Sequence, residues 1–292
     1  IDSDRPDFRI RGGLWDGHTL YQLYQKAHTP WSWHERLFDH ARRLGLVAFS
    51  SPFDATAVDF LESLAVPAYK IASFELVDLP LIRRVAATGK PMILSTGMAN
   101  LEEIEDAIGA AGDAGATSIA LLHCVSGYPT PHSEANLHTL TDLGRRFPWS
   151  VVGLSDHSRG TTVASTAVAL GAAIVEKHLT LSRTGEESVD AAFSLEPEEL
   201  AHLCRDCRIT WEAVGRVNYD RTPSEIDNLV FRRSLYVVAD MAVGEPFTET
   251  NLRSIRPGFG LPPRHLPMIL GRHASVPIDR GTPLSWSLVE PI

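Results

Sequence analysis

Val151-Val-Gly-Leu-Ser-Asp-His157 and Ala173-Ile-Val-Glu-Lys-His178 decide the fold. Each is a short run that is mostly apolar, turns polar at its carboxyl end and stops on a histidine, and a helix-length segment separates the two. Near-continuous apolar strands alternating with helical segments are the mark of a parallel sheet buried on both faces. Working outward, the same rhythm recurs at Val47–Ser51, Ala68–Ser73, Pro91–Thr96 and Ser118–Val125. Helix starts stand between these runs: Asp54 and Asp78 as caps, Asn100 with Glu103 as a capping box, and Ser194-Leu-Glu-Pro opening a long helix to about Ala213. Leu20–Gly45 reads as two helices, the second beginning at Thr29-Pro30.

Two closures compete for such a pattern, an open doubly wound sheet and a (β/α)8 TIM-type barrel. No G-x-G-x-x-G follows any strand, whereas polar residues sit at most carboxyl strand ends, where barrels keep their chemistry. The expected fold is therefore the α/β barrel. Six strands are visible and eight are needed, so two would lie before Ile1. Past Gly215 the rhythm stops, and Pro and Gly become frequent in short runs such as Ser234-Leu-Tyr-Val-Val and Arg256-Pro-Gly-Phe-Gly-Leu-Pro-Pro263. The expected organisation is a barrel over residues 1–215, a linker over 216–228 and a small domain over 229–292.

The 292 residues are 44% hydrophobic and 22% charged, an ordinary globular composition. With 27 basic against 36 acidic side chains, the formal charge is −9, which argues against nucleic acid as the main partner. No apolar run is long enough for a membrane span, and the start is no signal peptide. Three cysteines, Cys124, Cys204 and Cys207, cannot make an even disulfide framework, and a cytoplasmic location is expected. Cys204 and Cys207 fall in a helical pattern and read as packing residues, the Trp31, Trp33 and His34 cluster reads as a helix anchor, and Gly12-Gly-Leu-Trp-Asp16 reads as a surface turn that could border a site.

His157 and His178 end consecutive parallel strands, so both imidazoles would meet at one mouth. Two neutral nitrogens beside open positions suit a divalent metal, although either ring could equally be a rim or core histidine. Lys70, Ser73, Ser95 and Ser155 also stand at strand ends, where a cation among hydroxyls would hold phosphate or carboxylate; serines also simply terminate strands. A lysine in the apolar Ala-Tyr-Lys-Ile-Ala run needs a counter-charge or a task. Glu176 beside Lys177 reads either as an internal pair or as the group that orients His178.

Phe49-Ser-Ser-Pro-Phe-Asp54, Tyr69-Lys-Ile-Ala-Ser73, Leu94-Ser-Thr-Gly97, Leu122-His-Cys-Val-Ser-Gly-Tyr-Pro129, Gly153-Leu-Ser-Asp-His157 and Glu176-Lys-His178 resemble, in order, the motifs of the sialic acid synthase family. Phe231-Arg-Arg-Ser and Ser254-Ile-Arg-Pro-Gly-Phe-Gly260 resemble its C-terminal SAF (antifreeze-like) domain. Gly12–Asp16, Ser51, Asp190-Ala-Ala-Phe-Ser194 and the Arg256 run look like the pseudaminic acid branch, with Ser126 where the N-acetylneuraminate branch usually has Asn. The resemblance implies a transferase that condenses phosphoenolpyruvate with 2,4-diacetamido-2,4,6-trideoxy-L-altrose. It implies that His157 and His178 hold a divalent metal (manganese, or else magnesium or cobalt), and that they and Lys70 are catalytic. It gives Lys70, Ser73, Ser95 and Ser155 to phosphoenolpyruvate, and places Ser51, Ser126, Tyr128 and Asp190 on the substrate side. Arg256 would reach the sugar in a partner subunit's site, in a domain-swapped homodimer. The alternatives are a legionaminate or N-acetylneuraminate synthase, or an inactive, truncated carbohydrate-binding homologue. Family members begin with two strands carrying Ala-Glu-Ile and Lys-Ile/Phe-Gln motifs, which do not occur here, so the chain is expected to lack its first two strands and to turn over poorly alone.

Overall fold

The computed structural model describes residues 1–184 and 188–291, in two compact units, Ile1–Gly215 and Arg216–Ile292. Ile292, the expected end of the small domain, lies outside the described residues.

The first unit is built on five parallel strands, β1 (Tyr69–Ile71), β2 (Met92–Ser95), β3 (Ile119–Cys124), β4 (Val151–Asp156) and β5 (Ile174–Lys177), in the order β1-β2-β3-β4-β5. Each strand pairs with the next in sequence and the order never reverses. That is barrel winding; a doubly wound sheet has a switch point where the order turns back. The helices are α1 (Leu20–Ala27), α2 (Trp31–Arg43), α3 (Ala55–Ser63), α4 (Leu79–Ala86), α5 (Leu101–Asp113), α6 (His138–Arg146), α7 (Thr162–Ala169) and α8 (Pro197–Val214). Their starts follow the capping logic of the sequence. Asp54 accepts from the Ala57 N–H, Asp78 from the Leu81 N–H, and Asn100 and Glu103 cap each other's backbone.

The sheet departs from the expected strand count. Val47–Ser51 contributes only an isolated bridge from Ser50 to Tyr69, in which the Lys70 N–H donates to the Ser50 carbonyl at 3.3 Å. Leu46, Val47 and Phe49 remain exposed. The segment has a neighbour on one side only, and a buried parallel strand requires cover on both faces and pairing at both edges. Among the described residues the sheet is therefore an arc of five strands, and eight-strand closure is not observed.

The main core lies between this arc and α3, α4 and α5, with Val58, Tyr69, Ile71, Ile82, Leu94 and Leu121 fully enclosed. Trp31 stacks flat on Phe60 at 4.4 Å, and buried His34 meets the edges of Phe38 and Phe60, so these two anchor α2. Trp33 is exposed and does not. Of the two helical cysteines, Cys207 packs beside Leu203 on α8 and Cys204 is exposed, which corrects the expectation that both pack. Among the described residues no helix is long and apolar enough to cross a membrane. The second unit has its own core, with Leu235, Val237, Phe247, Leu252, Ile269 and Leu284 around an antiparallel pair, β6 (Ser234–Val237) and β7 (Leu252–Ile255).

Gly153 on β4 leaves no room for a side chain between β3 and β5. A Cβ there would stand 2.5 Å from the Ile174 carbonyl oxygen and 2.6 Å from the Leu122 side chain. Gly153→Ala is expected to cost about 1–3 kcal/mol through overpacking. Urea unfolding should show a lower midpoint at unchanged slope; an unchanged midpoint would mean that the strands can part without cost.

Candidate active site

Asp156 ends β4 and Lys177 ends β5, and the two are register partners. Lys177 Nζ lies 2.7 Å from Asp156 Oδ2, with both side chains at most 3% exposed. The other Asp156 oxygen accepts from the Ser158 N–H at 2.8 Å, and Lys177 also donates to the Ser158 carbonyl. Both charges are thus paired and hydrogen-bonded, the condition for burying them. Side chains alternate along a strand, so the next residues, His157 and His178, present their rings together, with centroids 5.2 Å apart.

Each ring is oriented through Nδ1. His157 Nδ1 lies 3.1 Å from the Val125 carbonyl and 3.7 Å from Cys124 Sγ, and His178 Nδ1 lies 3.2 Å from Asp190 Oδ2. A carbonyl and a carboxylate can only accept, so Nδ1 carries the hydrogen in both rings and each Nε2 keeps a lone pair. This is how proteins orient histidines that bind metals. The donor set fits two positions of a divalent ion, and no group of three or more His, Cys, Asp or Glu ligands is found among the described residues. Burial opposes charging His157, but the Cys124 and Val125 contacts outweigh it and hold the ring above its ordinary pKa.

Glu176 takes neither role suggested by its sequence position. Adjacent strand residues face opposite ways, so it cannot pair with Lys177, and Asp190 rather than Glu176 lies on His178. Glu176 instead accepts from Ser155 Oγ at 2.7 Å and stands 3.7 Å from Lys70 Nζ. Lys70, 6% exposed, donates to the Ile71 carbonyl at 2.7 Å. Burial pulls its pKa down, against the attraction of Glu176.

Beyond Lys70 the chain forms a cradle of hydroxyls. The Gly97 N–H donates to Ser73 Oγ at 3.1 Å, and a Cβ on Gly97 would strike Ser126 Oγ and stand 2.7 Å from Ser73 Oγ. Ser95 Oγ is buried with no partner among the described residues. An unpaired buried hydroxyl on the strand next to the one that carries Lys70 is a place where an acceptor could bind. Ser51 follows the bridge residue Ser50 and is half-buried. Arg256 is an exposed residue of the second unit, immediately after β7.

Aromatic rings close the other side. Tyr128 lies 4.6 Å from His157, and buried Phe193 lies 4.9 Å from His178. Trp15 meets Tyr128 at 5.5 Å and donates its indole N–H to the Val189 carbonyl at 3.0 Å, so the Gly12–Asp16 turn does border the site. Arg183 forks onto Glu199 at 2.7 and 2.9 Å and reaches the Ser194 carbonyl, tying the Phe193 segment to α8.

Sequence reasoning missed Glu75 and Cys124. Glu75 sits in the short 3-10 turn after β1, with one carboxylate oxygen buried and unpartnered, and burial pushes its pKa above the usual carboxylate range. An acid two residues after Lys-Ile-Ala-Ser was the available signal. Cys124 ends β3 in contact with His157, and burial, which raises a thiol, is outweighed by His157, Ser73 and Ser126.

Residues 2–219 match the NeuB family and residues 232–290 the SAF domain. The chain is 42% identical over 291 residues to the pseudaminic acid synthase of Helicobacter pylori, covering 99% of this chain and 85% of that protein. It is 39% identical over 257 residues to the N,N'-diacetyllegionaminic acid synthase of Campylobacter jejuni, covering 87% and 76%. The N-acetylneuraminic acid synthetase of Leptospira borgpetersenii, solved with citrate, superimposes with a TM-score of 0.67 at 32% identity, over 71% of this chain and 72% of that one. The expectation that the chain lacks two strands gains no support from alignments that take in nearly all of it.

Glu75 makes the site's cost visible in stability. An acid whose pKa is raised on folding contributes least above that pKa, so its penalty is present at neutral pH and disappears below the unfolded value near pH ~4.3. Glu75→Gln should therefore melt at a higher temperature than the parent at pH 7, and the difference should vanish by about pH 4. Equal melting temperatures at pH 7 would contradict the burial of this carboxyl.

Proposed function

The chain belongs to the NeuB family and carries a SAF domain, and on that premise we propose that it condenses phosphoenolpyruvate with 2,4-diacetamido-2,4,6-trideoxy-L-altrose to give pseudaminic acid and phosphate. The observation that carries this reading is the juxtaposition of two Nδ1-oriented histidines with a buried lysine and hydroxyl cradle, together with 42% identity to a pseudaminic acid synthase. The 39% identity to a legionaminic acid synthase supports the related condensation as the alternative.

Lys70, Ser73, Ser95 and Ser155 bind the phosphate and carboxylate of phosphoenolpyruvate. The small Gly97 leaves room for the anion to approach the backbone. His157 and His178 would hold a divalent ion, manganese in this proposal, which would supply Lewis-acid polarisation of the sugar's aldehyde. Tyr128, Ser126, Ser51 and Asp190 orient the sugar, and Asp190 also fixes His178. C3 of the enol then attacks the aldehyde carbon, water adds at C2, and phosphate leaves by C–O cleavage. Lys70 neutralises charge on the departing group, and Glu75, whose pKa is raised by burial, can exchange a proton with the reacting oxygens. On the same reading two copies pair in the cytoplasm, and Arg256 of one serves the sugar bound by its partner.

Incubation with both substrates and Mn2+ should release phosphate and form a nine-carbon 2-oxo acid, and EDTA should stop it. His178→Ala should lose both metal retention and turnover, and Lys70→Met should lose roughly 10²–10³ in rate. No phosphate release with either the altrose or the corresponding legionaminate precursor would overturn the proposal, as would full activity of His178→Ala without bound metal.

A further inference from the structure

The aromatic side of the site has a chemistry of its own. From His157 outward the rings run Tyr128, at 4.6 Å, then Trp15, at 5.5 Å from Tyr128. Phe193 backs them at 5.4 Å from Tyr128. Phe193 is buried, while Tyr128 and Trp15 are half-exposed, so the outer two offer ring surface to whatever lies beside the histidines. The single polar atom of the Trp15 side chain is already spent on the Val189 carbonyl. An indole donates one hydrogen and accepts none, so what remains of Trp15 can only make apolar contact. Its place is fixed from both ends. The Asp16 carboxylate accepts from the Gly12 N–H at 2.8 Å and closes the turn, and Val189 directly precedes Asp190, the residue on His178.

A sugar whose aldehyde carbon faces the histidines extends its far end away from them, in the direction that these rings line. We infer that Trp15, supported by Tyr128, is a specificity-determining residue that receives the deoxygenated end of the sugar, its C6 methyl, and disfavours sugars carrying a hydroxyl there. The inference rests on the condensation proposed above and adds the feature of the sugar that is selected. A hydroxyl in this position would lose water and find no acceptor on the indole. Discrimination of this kind, in which an apolar wall faces an added hydroxyl, reaches at most about 10²-fold.

The test compares kcat/KM for the 6-deoxy sugar with that for its 6-hydroxy counterpart, 2,4-diacetamido-2,4-dideoxy-L-altrose, in the full chain. The parent should prefer the deoxy sugar by about 10–100-fold. Trp15→Gln should bring the ratio within about threefold of unity, mainly through the KM for the deoxy sugar, while the KM for phosphoenolpyruvate stays within about twofold. Trp15→Phe keeps an aromatic face, loses only the bond to Val189, and should retain most of the preference. It also serves as the readable variant if Trp15→Gln does not fold. An unchanged ratio in Trp15→Gln, or a ratio in Trp15→Phe that falls to unity, would overturn the assignment while leaving the condensation intact. A parent enzyme that uses neither sugar would overturn the functional reading, and this inference with it.

Discussion

The buried Asp156–Lys177 pair is the constraint on which the rest of the site depends. It joins the last residues of two neighbouring strands, and both histidines that face the site come directly after it. Two charges removed from water are tolerated only when fully compensated, and here the carboxylate and ammonium also share the Ser158 backbone. Losing either partner would strand the other in the core, at about 3–5 kcal/mol. The strand ends are thereby held together at the point where a loose pair of loops would let the imidazoles drift apart. The energy is spent on the placement of His157 and His178, since a pair of apolar residues would serve stability as well.

A second layer of polar contacts runs across the strands rather than along them. Ser155 on β4, Glu176 on β5 and Lys70 on β1 share one chain of contacts, which keeps the lysine's counter-charge at 3.7 Å instead of in tight hydrogen-bonded contact. A lysine held in this way is neutralised enough to be buried and still free to trade its partner for an incoming anion. Glu75 adds to the negative charge around Lys70 and, like Lys70, is shifted by burial toward its neutral form. The site thus combines groups poised against their usual charge states, a common condition at centres that move protons and anions.

Much of this was legible in the sequence because strand ends in a parallel sheet carry a readable signature: apolar residues giving way to polar ones. His157, His178, Lys70 and the serines were found in that way. The pairing of Glu176 was not, because chain neighbours suggest a contact that strand alternation forbids, and its true partners lie on other strands. Glu75 escaped for the same reason, and the turn that carries Trp15 was read as a possible border of a site without the ring contacts that place it there. Their roles depend on which atoms are left without partners and which rings meet across long sequence separations, and periodicity records neither. The sixth strand was over-read because β-rich composition in Val47–Ser51 says nothing about whether a neighbour exists to pair with it.

The register of β4 and β5 also bears on how the chain avoids folding wrongly. In the native alignment Ser155 is opposite Glu176 and Asp156 is opposite Lys177. Sliding β5 by one residue in one direction would set Glu176 against Asp156, two carboxylates in a buried position, and turn every side chain of the strand to the other face. Sliding it the other way would leave Asp156 without its cation. The alternation of acid and base at the end of β5 therefore penalises a slip in either direction and favours the single native register.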